Sequence, residues 1–252
     1  MIKLTRRRLL TATLSTAASV AGAAAAVQFA NSRGFIAPNY GGILGPGEVL
    51  TYGAQRALMS IRSYAREFRP DQISPMARVN HPHPRFDPYQ RLAQRKFADW
   101  RLYVDGMVAR PNAYSLADLK AMPGQTQITQ LICEEGWSFI AAWTGVRMSD
   151  ILARVEPHPD AKWVVLQPFD EFWGSIDMTE ALHPQTLLAY GMNGSDLPLD
   201  HGAPLRLRVP RQLGYKNLKY LARISVTDRL DNIGDGNGSA APDLGYSWYA
   251  GI

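Results

Sequence analysis

Cysteine is almost absent from this sequence of 252 residues, in which Cys133 is the only one. A single cysteine excludes an internal disulfide, and it excludes sites built on paired thiols, such as Cys-x-x-Cys zinc clusters and Cys-x-x-Cys-His haem attachment. The sequence also has neither a glycine-rich dinucleotide fingerprint nor a P-loop. Cys133 can therefore be a buried apolar residue, a nucleophile, or one thiolate ligand of a metal whose other ligands come from elsewhere.

Most of the chain has no excess of positive or of negative residues. The formal net charge is +5, but four of the 27 Lys and Arg residues lie in residues 1–30, which contain no acid. Residues 31–252 therefore carry 23 bases against 22 acids. Because this part has no general positive field, we expect no nucleic-acid partner.

The first 30 residues have the pattern of an export signal. Arg6, Arg7 and Arg8 precede two leucines, and an uncharged, alanine-rich stretch continues to Ala30. This pattern is typical of the twin-arginine pathway, which exports folded proteins, so we expect a periplasmic protein. The stretch exceeds the roughly 20 residues that span a membrane, so tethering by an uncleaved signal is the alternative. Small residues at 24–26 and at 28–30 leave the cleavage site open.

The rest of the sequence predicts an α+β domain of short strands and helices. We expect a helical and proline-rich lead-in over 31–98, a core over 99–230, and an aromatic tail over 231–252 that docks on the core. The lead-in combines helical spacing over 47–69 with five prolines between Pro70 and Pro88. The residues on the apolar side of this predicted helix are Val49, Leu50, Ala54, Ala57, Leu58, Ile61 and Tyr64.

Several shorter elements are predicted from local patterns. Apolar and alternating runs predict strands at 100–106, 162–167, 205–209 and 222–226, and the continuous run Trp163–Leu166 indicates a central strand. Helices are expected at 89–97, after the capping Ser115 with Asp118 three residues on, and from Ser149.

Three motifs stand in order along the predicted core. The first is Cys133-x-Glu-x-Trp-Ser, followed closely by Trp143-Thr-Gly. The second is His201-Gly-Ala-Pro-x-Arg206, and the third runs from Gly214 to Lys219. Their order and spacing resemble those of the sulfite-oxidase-fold molybdopterin enzymes over residues 76–230, and within that family they are most similar to the members that reduce methionine sulfoxide.

The resemblance implies a fold and a cofactor. The fold is the sulfite oxidase-like molybdopterin-binding fold, with mixed β-sheets, short helices and many loops. The cofactor is Mo-molybdopterin, with one molybdenum and one pterin. Cys133 takes the place of the catalytic thiolate that binds the molybdenum, and a soft thiolate suits a metal that is otherwise held through sulfur.

The resemblance also implies which residues hold the pterin. Arg206 and the run Asn217, Leu218 and Lys219 bind the pterin phosphate, and His201 takes the place of a residue that touches the pterin. A guanidinium offers a planar fork to phosphate, and an ammonium offers a point charge.

A proline-rich segment and the end of one strand supply the remaining expected contacts. Asn80, His81 and His83 lie where the family has an Asn-Asn-x-Tyr-Glu loop that covers the cofactor; Asn80 is kept, whereas the histidines depart from the pattern and can also be read as solvent-exposed. Pro168 stands in place of a threonine that contacts the pterin, so only a backbone contact is expected there.

The implied activity is oxygen-atom transfer, in the direction of reducing a methionine-sulfoxide-like S-oxide. Electrons would come from a partner, either a membrane b-type haem protein or a periplasmic cytochrome c, and a monomer is expected. Oxidation of sulfite is the runner-up, although Glu134 and Glu135 beside the cysteine should repel that dianion unless Arg147 or another cation offsets them. Trp137, Trp143 and Trp173 are candidates for an aromatic wall on the substrate side or for core packing.

Two other classes of function stay open on the residues alone. One is a cofactor-free binding or assembly module on the same fold. The other is a cysteine hydrolase, which would need His183 or His201 beside Cys133.

Overall fold

The computed structural model describes residues 45–59, 62–170, 172–233 and 236–252, together with Gly22 and Ala25. The remainder of the predicted signal, and Ile61 of the predicted first helix, lie outside these residues. Among the described residues, no helix is both long enough and apolar enough to cross a membrane.

The described residues form ten strands and six α-helices. The strands are β1 Arg101–Gly106, β2 Asn112–Ser115, β3 Gln125–Ile132, β4 Ser138–Arg147, β5 Trp163–Pro168, β6 Gly174–Asp177, β7 Leu187–Met192, β8 Ser195–Asp196, β9 Arg206–Arg208 and β10 Leu221–Thr227. The helices are α1 Gly45–Leu58, α2 Asp87–Gln94, α3 Leu116–Ala121, α4 Met148–Val155, α5 Met178–Ala181 and α6 Ala240–Asp243. Single 3-10 turns occur at Pro70–Gln72, Leu199–His201 and Gly214–Lys216.

The first sheet is mixed and has the strand order β2-β1-β10-β5-β6. β1 pairs with β10 in parallel, whereas the other neighbours in this sheet are antiparallel. The run Trp163–Leu166 of β5 is buried throughout and lies between β10 and β6, as its continuous apolar character predicted.

The second sheet is antiparallel, with the order β3-β4-β7-β8 and with β9 paired to β7. β3 and β4 form a long hairpin that is in register from Gln125 and Gly145 to Ile132 and Ser138. The chain turns between them over residues 133–137, which places the single cysteine at the tip of the hairpin.

One apolar core joins both sheets to α4. It contains Leu102 and Val104 of β1, Ile151 and Leu152 of α4, and Leu207 of β9, all almost fully buried. Complete burial of such a side chain contributes about 1.5–3 kcal/mol, so this core holds the strands that end at the cavity described below.

The predicted N-terminal helix is wrong in its length and in its buried face. α1 ends at Leu58, and Leu50 and Leu58 on its apolar side are 74% and 80% exposed. The opposite side docks instead, through the buried Tyr52, whose hydroxyl donates to Asp177 at 3.2 Å, and through Arg56. Apolar spacing indicated the wrong face because ionic and aromatic groups make the contact.

Four charged residues form a buried group where α1 meets the core, and we call it the balanced cluster: Arg56, Arg211, Asp177 and Glu180. Arg211 Nη2 lies 2.7 Å from Glu180 Oε2, and Arg56 Nη2 lies 3.3 Å from Asp177 Oδ1. The side chains of all four residues are at most 7% exposed. Two cations and two carboxylates therefore offset one another inside the protein.

The C-terminal residues pack next to this cluster. Trp248 and Tyr249 are buried against Tyr52 and Trp163. The ammonium of Lys216 donates to the carbonyl of Trp248 at 2.7 Å and lies 4.5 Å from the centre of its ring. These contacts connect the chain end to the 3-10 turn of the third motif.

Candidate active site

The three sequence motifs meet at one cavity of about 640 Å³. Its wall is made by the turn after β3, by residues 170 and 172–173, and by segments around residues 78–81, 200–206, 214–219 and 240–244. The predicted site residues that line it are Asn80, His81, Cys133, His201, Arg206, Asn217, Leu218 and Lys219.

Cys133 is fixed by a tight turn at the tip of the β3–β4 hairpin. Its N–H donates to the carbonyl of Trp137 at 2.8 Å, and its carbonyl accepts from the N–H of Gly136 at 3.1 Å. Gly214 packs directly against it, since a Cβ on that glycine would lie 3.2 Å from the Cys133 Cα. Cys133 is 5% exposed and lines the cavity.

The electrostatics around Cys133 disfavour a free thiolate. Burial, together with the carboxylate of Glu134, raises the pKa of the Cys133 thiol to about 11, and Glu134 Oε2 lies 3.5 Å from Sγ. A nucleophilic cysteine would need the opposite shift. A bound metal cation would supply the charge that stabilises the thiolate.

Neither histidine makes a catalytic pair with Cys133. His183 is buried away from the cavity wall, where its Nδ1 accepts from the N–H of Gln185 at 3.2 Å. His201 does line the cavity, but burial and the neighbouring Arg206 lower its pKa to about 4. So weak a base would not take the proton of a thiol whose pKa is about 11, and no hydrogen bond among the described residues joins His201 to Cys133, so the structure gives no support to the cysteine-hydrolase hypothesis.

Three cations, Arg206, Arg208 and Lys219, form what we call the cationic wall. Arg206 and Lys219 line the cavity, and Arg208 lies behind them. Both guanidiniums pack on the buried Trp143, with Cζ 4.9 Å (Arg206) and 4.7 Å (Arg208) from the ring centre. Among the described residues, no carboxylate oxygen comes within 4.0 Å of any of the three.

The hydrogen bonds of Arg206 show how it can act. Nη1 donates to the carbonyl of His201 at 2.8 Å and Nη2 donates to that of Asn217 at 2.9 Å, whereas the buried Nε has no partner among the described residues. Each terminal nitrogen keeps a second N–H, so part of the planar fork expected from the sequence is already engaged by the protein. Arg206 retains its positive charge and three N–H groups without a partner among the described residues.

Lys219 ties the proline-rich segment to the cavity. Its ammonium donates to Asn80 Oδ1 at 3.2 Å, to the carbonyl of His81 at 2.9 Å and to the carbonyl of Asp200 at 3.0 Å. Burial and the nearby Arg206 lower the pKa of Lys219 to about 7. An anion in the cavity would therefore be expected to raise that pKa again.

Two predicted contacts fall outside the cavity wall. His83 binds Asp200 instead, with Nδ1 2.6 Å and the backbone N–H 3.0 Å from Oδ1. Pro168 ends β5 in register with Leu221, and the wall begins two residues later at Asp170. Both residues lie next to the wall without lining it. Their positions in the motifs alone could not show this difference.

Other predicted side chains have structural partners. The amide of Asn217 is fully used, because Oδ1 accepts from Arg208 and from the N–H of Val209 while Nδ2 donates to two carbonyls. Trp143 is fully buried beneath the cationic wall, so of the two alternatives core packing holds for it, whereas Trp137 and Trp173 line the cavity. Arg147 donates to Gln125 outside the wall.

Several wall residues were not predicted at all. They include Arg78, Phe139, Asp170 and Phe172. Phe139 could have been found by the alternation of β4, whose burial pattern places it inward. Arg78 had no signal beyond standing two residues before Asn80.

The residues present fit a metal-bound, phosphate-bearing cofactor. A buried thiol, an unpaired guanidinium Nε and two cations without an ion pair among the described residues share one cavity, whose wall also contains Glu134, Asp170, Asp200 and Asp243. Within the part of the chain that the structure describes, no group of three His, Cys, Asp or Glu side chains could hold a metal ion. A metal at Cys133 would take its remaining ligands from the cofactor.

Comparison with known proteins points to the same chemistry. The protein described as "Putative protein-methionine-sulfoxide reductase subunit YedZ1" of Azospira oryzae is 38% identical over 190 residues, which is 73% of this chain and 70% of that protein. The protein-methionine-sulfoxide reductase catalytic subunit MsrP of Xanthomonas campestris is 32% identical over 160 residues, covering 57% of this chain and half of that protein.

The fold is similar to that of a solved enzyme. In the crystal structure of the sulfane dehydrogenase SoxCD from Paracoccus pantotrophus, one chain matches with a TM-score of 0.50 and 26% identity, covering 52% of this chain and 39% of that one. Residues 89–232 match the family described as the oxidoreductase molybdopterin binding domain, which is more than half of the chain. The protein is therefore a molybdopterin-dependent oxidoreductase and belongs to this family.

Proposed function

We propose that this protein is the catalytic subunit of an S-oxide reductase whose substrate class is methionine sulfoxide. In the overall reaction the S=O bond breaks, two electrons and two protons are consumed, and a sulfide and water leave. Two relatives with related names support this direction. Electrons would come from a separate redox partner, either a membrane b-type haem protein or a periplasmic cytochrome c, after export through the twin-arginine pathway.

The observation that carries the proposal is that Cys133 and the cationic wall line one cavity. When bound there, a molybdenum–pterin cofactor supplies the two-electron redox change and the transfer of the oxygen atom. Cys133 would bind the molybdenum as a thiolate. Arg206 and Lys219 would offset the charge of the pterin phosphate, and the neutral imidazole of His201 would be available to a polar atom of the pterin.

The segment at 80–81 would close the cofactor side of the cavity. Lys219 holds both residues by direct hydrogen bonds, and His81 Nε2 lies 3.7 Å from Asp170 Oδ2 across the wall. Loss of these contacts would admit water to the cofactor. The segment thus orients and covers the group while Cys133 binds it.

Aromatic residues next to Cys133 would receive the substrate. Trp137 and Phe139 stack with their rings 6.1 Å apart and 11° from parallel, and both line the cavity together with Trp173. Such surfaces pack the apolar arms of a sulfoxide. Glu134 Oε2 lies 3.5 Å from Cys133 Sγ and disfavours a dianion at that point of the wall.

Protein exported from a host that makes molybdopterin would test the proposal. We expect about one molybdenum and one pterin per chain, and oxidation of reduced viologen that depends on methionine sulfoxide. Cys133→Ser should keep the fold but abolish turnover, because a hydroxyl is a harder donor than a thiolate toward this metal. The matched control Ser138→Ala, five residues along at the start of β4, should leave turnover unchanged.

Two results would contradict the proposal. Unchanged turnover in Cys133→Ser would show that Cys133 is not the molybdenum ligand. Efficient sulfite oxidation without any S-oxide reduction by the loaded protein would reverse the direction.

A further inference from the structure

Arg78 lies at one end of a row of three neighbouring aromatic rings, and Arg206 packs on the ring at the other end. Arg78 Cζ is 5.3 Å from the ring centre of Trp137, whose ring is 6.1 Å from that of Phe139. Phe139 lies 6.1 Å from Trp143, on which Arg206 packs at 4.9 Å. Three rings therefore separate Arg78 from the cationic wall, so Arg78 is a cation of the cavity distinct from Arg206 and Lys219.

Arg78 is close to Cys133 in the structure. The backbone of Trp137, whose ring Arg78 covers, is hydrogen-bonded to that of Cys133 at 2.8 Å. The Trp137 ring is itself fixed, because Nε1 donates to Glu135 Oε2 at 2.7 Å and the ring stacks on Phe139. The positive charge of Arg78 is thus held over a rigid surface near the reacting end of the cavity.

The guanidinium of Arg78 has no polar partner. It makes neither a hydrogen bond nor an ion pair with any residue that the structure describes, although it lines the cavity. Arg66, Arg85 and Arg154 are also exposed without a described ion pair, but none of these three lines the cavity, whereas Arg78 does. The carboxylate of Glu134 on the same wall is directed at Cys133 Sγ and does not neutralise Arg78.

We propose that Arg78 binds a carboxylate of the substrate and so makes the enzyme prefer acidic S-oxides over neutral ones. This inference rests on the proposed S-oxide reduction. A guanidinium held flat on an aromatic ring presents its N–H edge to a planar anion, and a carboxylate matches that edge in two parallel hydrogen bonds. Amino-acid and acidic peptide S-oxides carry such a group, whereas dialkyl sulfoxides do not.

The test compares two substrates that differ in one charge. N-acetylmethionine sulfoxide has a carboxylate, and its methyl ester does not. For Arg78→Gln in the molybdenum-loaded full chain, the KM for the acid should rise by about tenfold, the order expected for one partly exposed charge-assisted hydrogen bond. The KM for the ester and both kcat values should stay unchanged, and Arg78→Lys should recover part of the preference.

Arg66→Gln is the matched control. Arg66 is also exposed and also covers an aromatic ring, that of Phe68 at 4.8 Å, but it does not line the cavity. It should leave the KM for both substrates at the wild-type value.

Three outcomes would overturn the inference. In the first, Arg78→Gln raises the KM for the acid and the ester equally. In the second, it lowers the molybdenum and pterin content, which would make Arg78 a cofactor residue. In the third, the loaded wild-type protein reduces neither compound, and then the proposed S-oxide reduction fails first.

Discussion

Two groups of buried cations in this protein are compensated in different ways. In the balanced cluster, Arg56 and Arg211 lie within 3.4 Å of the carboxylates of Asp177 and Glu180. In the cationic wall, Arg206, Arg208 and Lys219 are bound by carbonyls, an amide, a hydroxyl and an aromatic ring. In the first group, two cations pair with two carboxylates. In the second group, none of the three cations pairs with a carboxylate among the described residues.

The difference separates a structural role from a binding role. Burying an unpaired charge costs several kcal/mol, because the solvation lost is not replaced by an opposite charge. The pKa values reflect this cost, since burial lowers that of Arg206 to about 10 and that of Lys219 to about 7. Such a cost beside a cavity is offset when an anion binds there, and in the proposed function the pterin phosphate would be that anion.

The largest effect on stability is expected in the balanced cluster. Glu180→Gln leaves Arg211 without its carboxylate in a buried site, so the free energy of unfolding should fall by about 3–5 kcal/mol. Chemical denaturation of the full chain measures this change. Glu156→Gln is the control, because Glu156 pairs with Arg110 at the surface and should cost less than about 1 kcal/mol. An equal loss of unfolding free energy in the two variants would show that the buried cluster stabilises the fold no more than a surface ion pair does.

A smaller effect is expected in the pH dependence of stability. Between pH 7 and 10 the unfolded chain keeps a proton on Lys219 that the cofactor-free fold releases, so stability should rise with pH in this range. Loading the cofactor should flatten the rise, because the phosphate keeps Lys219 protonated. Thermal unfolding from pH 7 to 10, with and without cofactor, measures both slopes.

Lys216 provides the matched control for this pH effect. Burial lowers its pKa to about 7 as well, but it does not line the cavity. In Lys216→Met, cofactor loading should change the slope as much as in the wild type. In Lys219→Met the part due to Lys219 should be lost, and only the part due to Cys133, which keeps its proton without the cofactor and would lose it as a metal ligand, should remain. If the effect of loading were lost in Lys216→Met and kept in Lys219→Met, the phosphate would not lie beside Lys219.

Much of the fold could be predicted wherever one physical signal dominates. The continuous apolar run at Trp163–Leu166 predicted an inner strand, and Ser115 with Asp118 predicted a helix start that the structure confirms as a reciprocal cap. β3 was missed as a strand because polar residues occupy its buried face. Gln127 and Thr129 are buried there, and their partners, Pro184 and Arg208, lie far away in sequence.

The candidate site could be predicted from the order of the motifs and their resemblance to a family, but not from the physical properties of the residues alone. Resemblance located Cys133 and the residues of the third motif, but it could not tell Pro168, which ends a strand, from a residue in the cavity wall. Arg78 was missed because a single exposed arginine has no pattern in sequence. Only its place over Trp137 distinguishes it from Arg66.

The most direct test of the account is the cofactor content of Arg206→Met. Molybdenum and pterin per folded chain should fall, because the variant removes a buried positive charge worth about 1.5–3 kcal/mol toward phosphate. The free energy of unfolding of the cofactor-free protein should fall less than it does in Glu180→Gln. Full molybdenum and full pterin in Arg206→Met would contradict the claim that the cationic wall exists to hold the cofactor's anion.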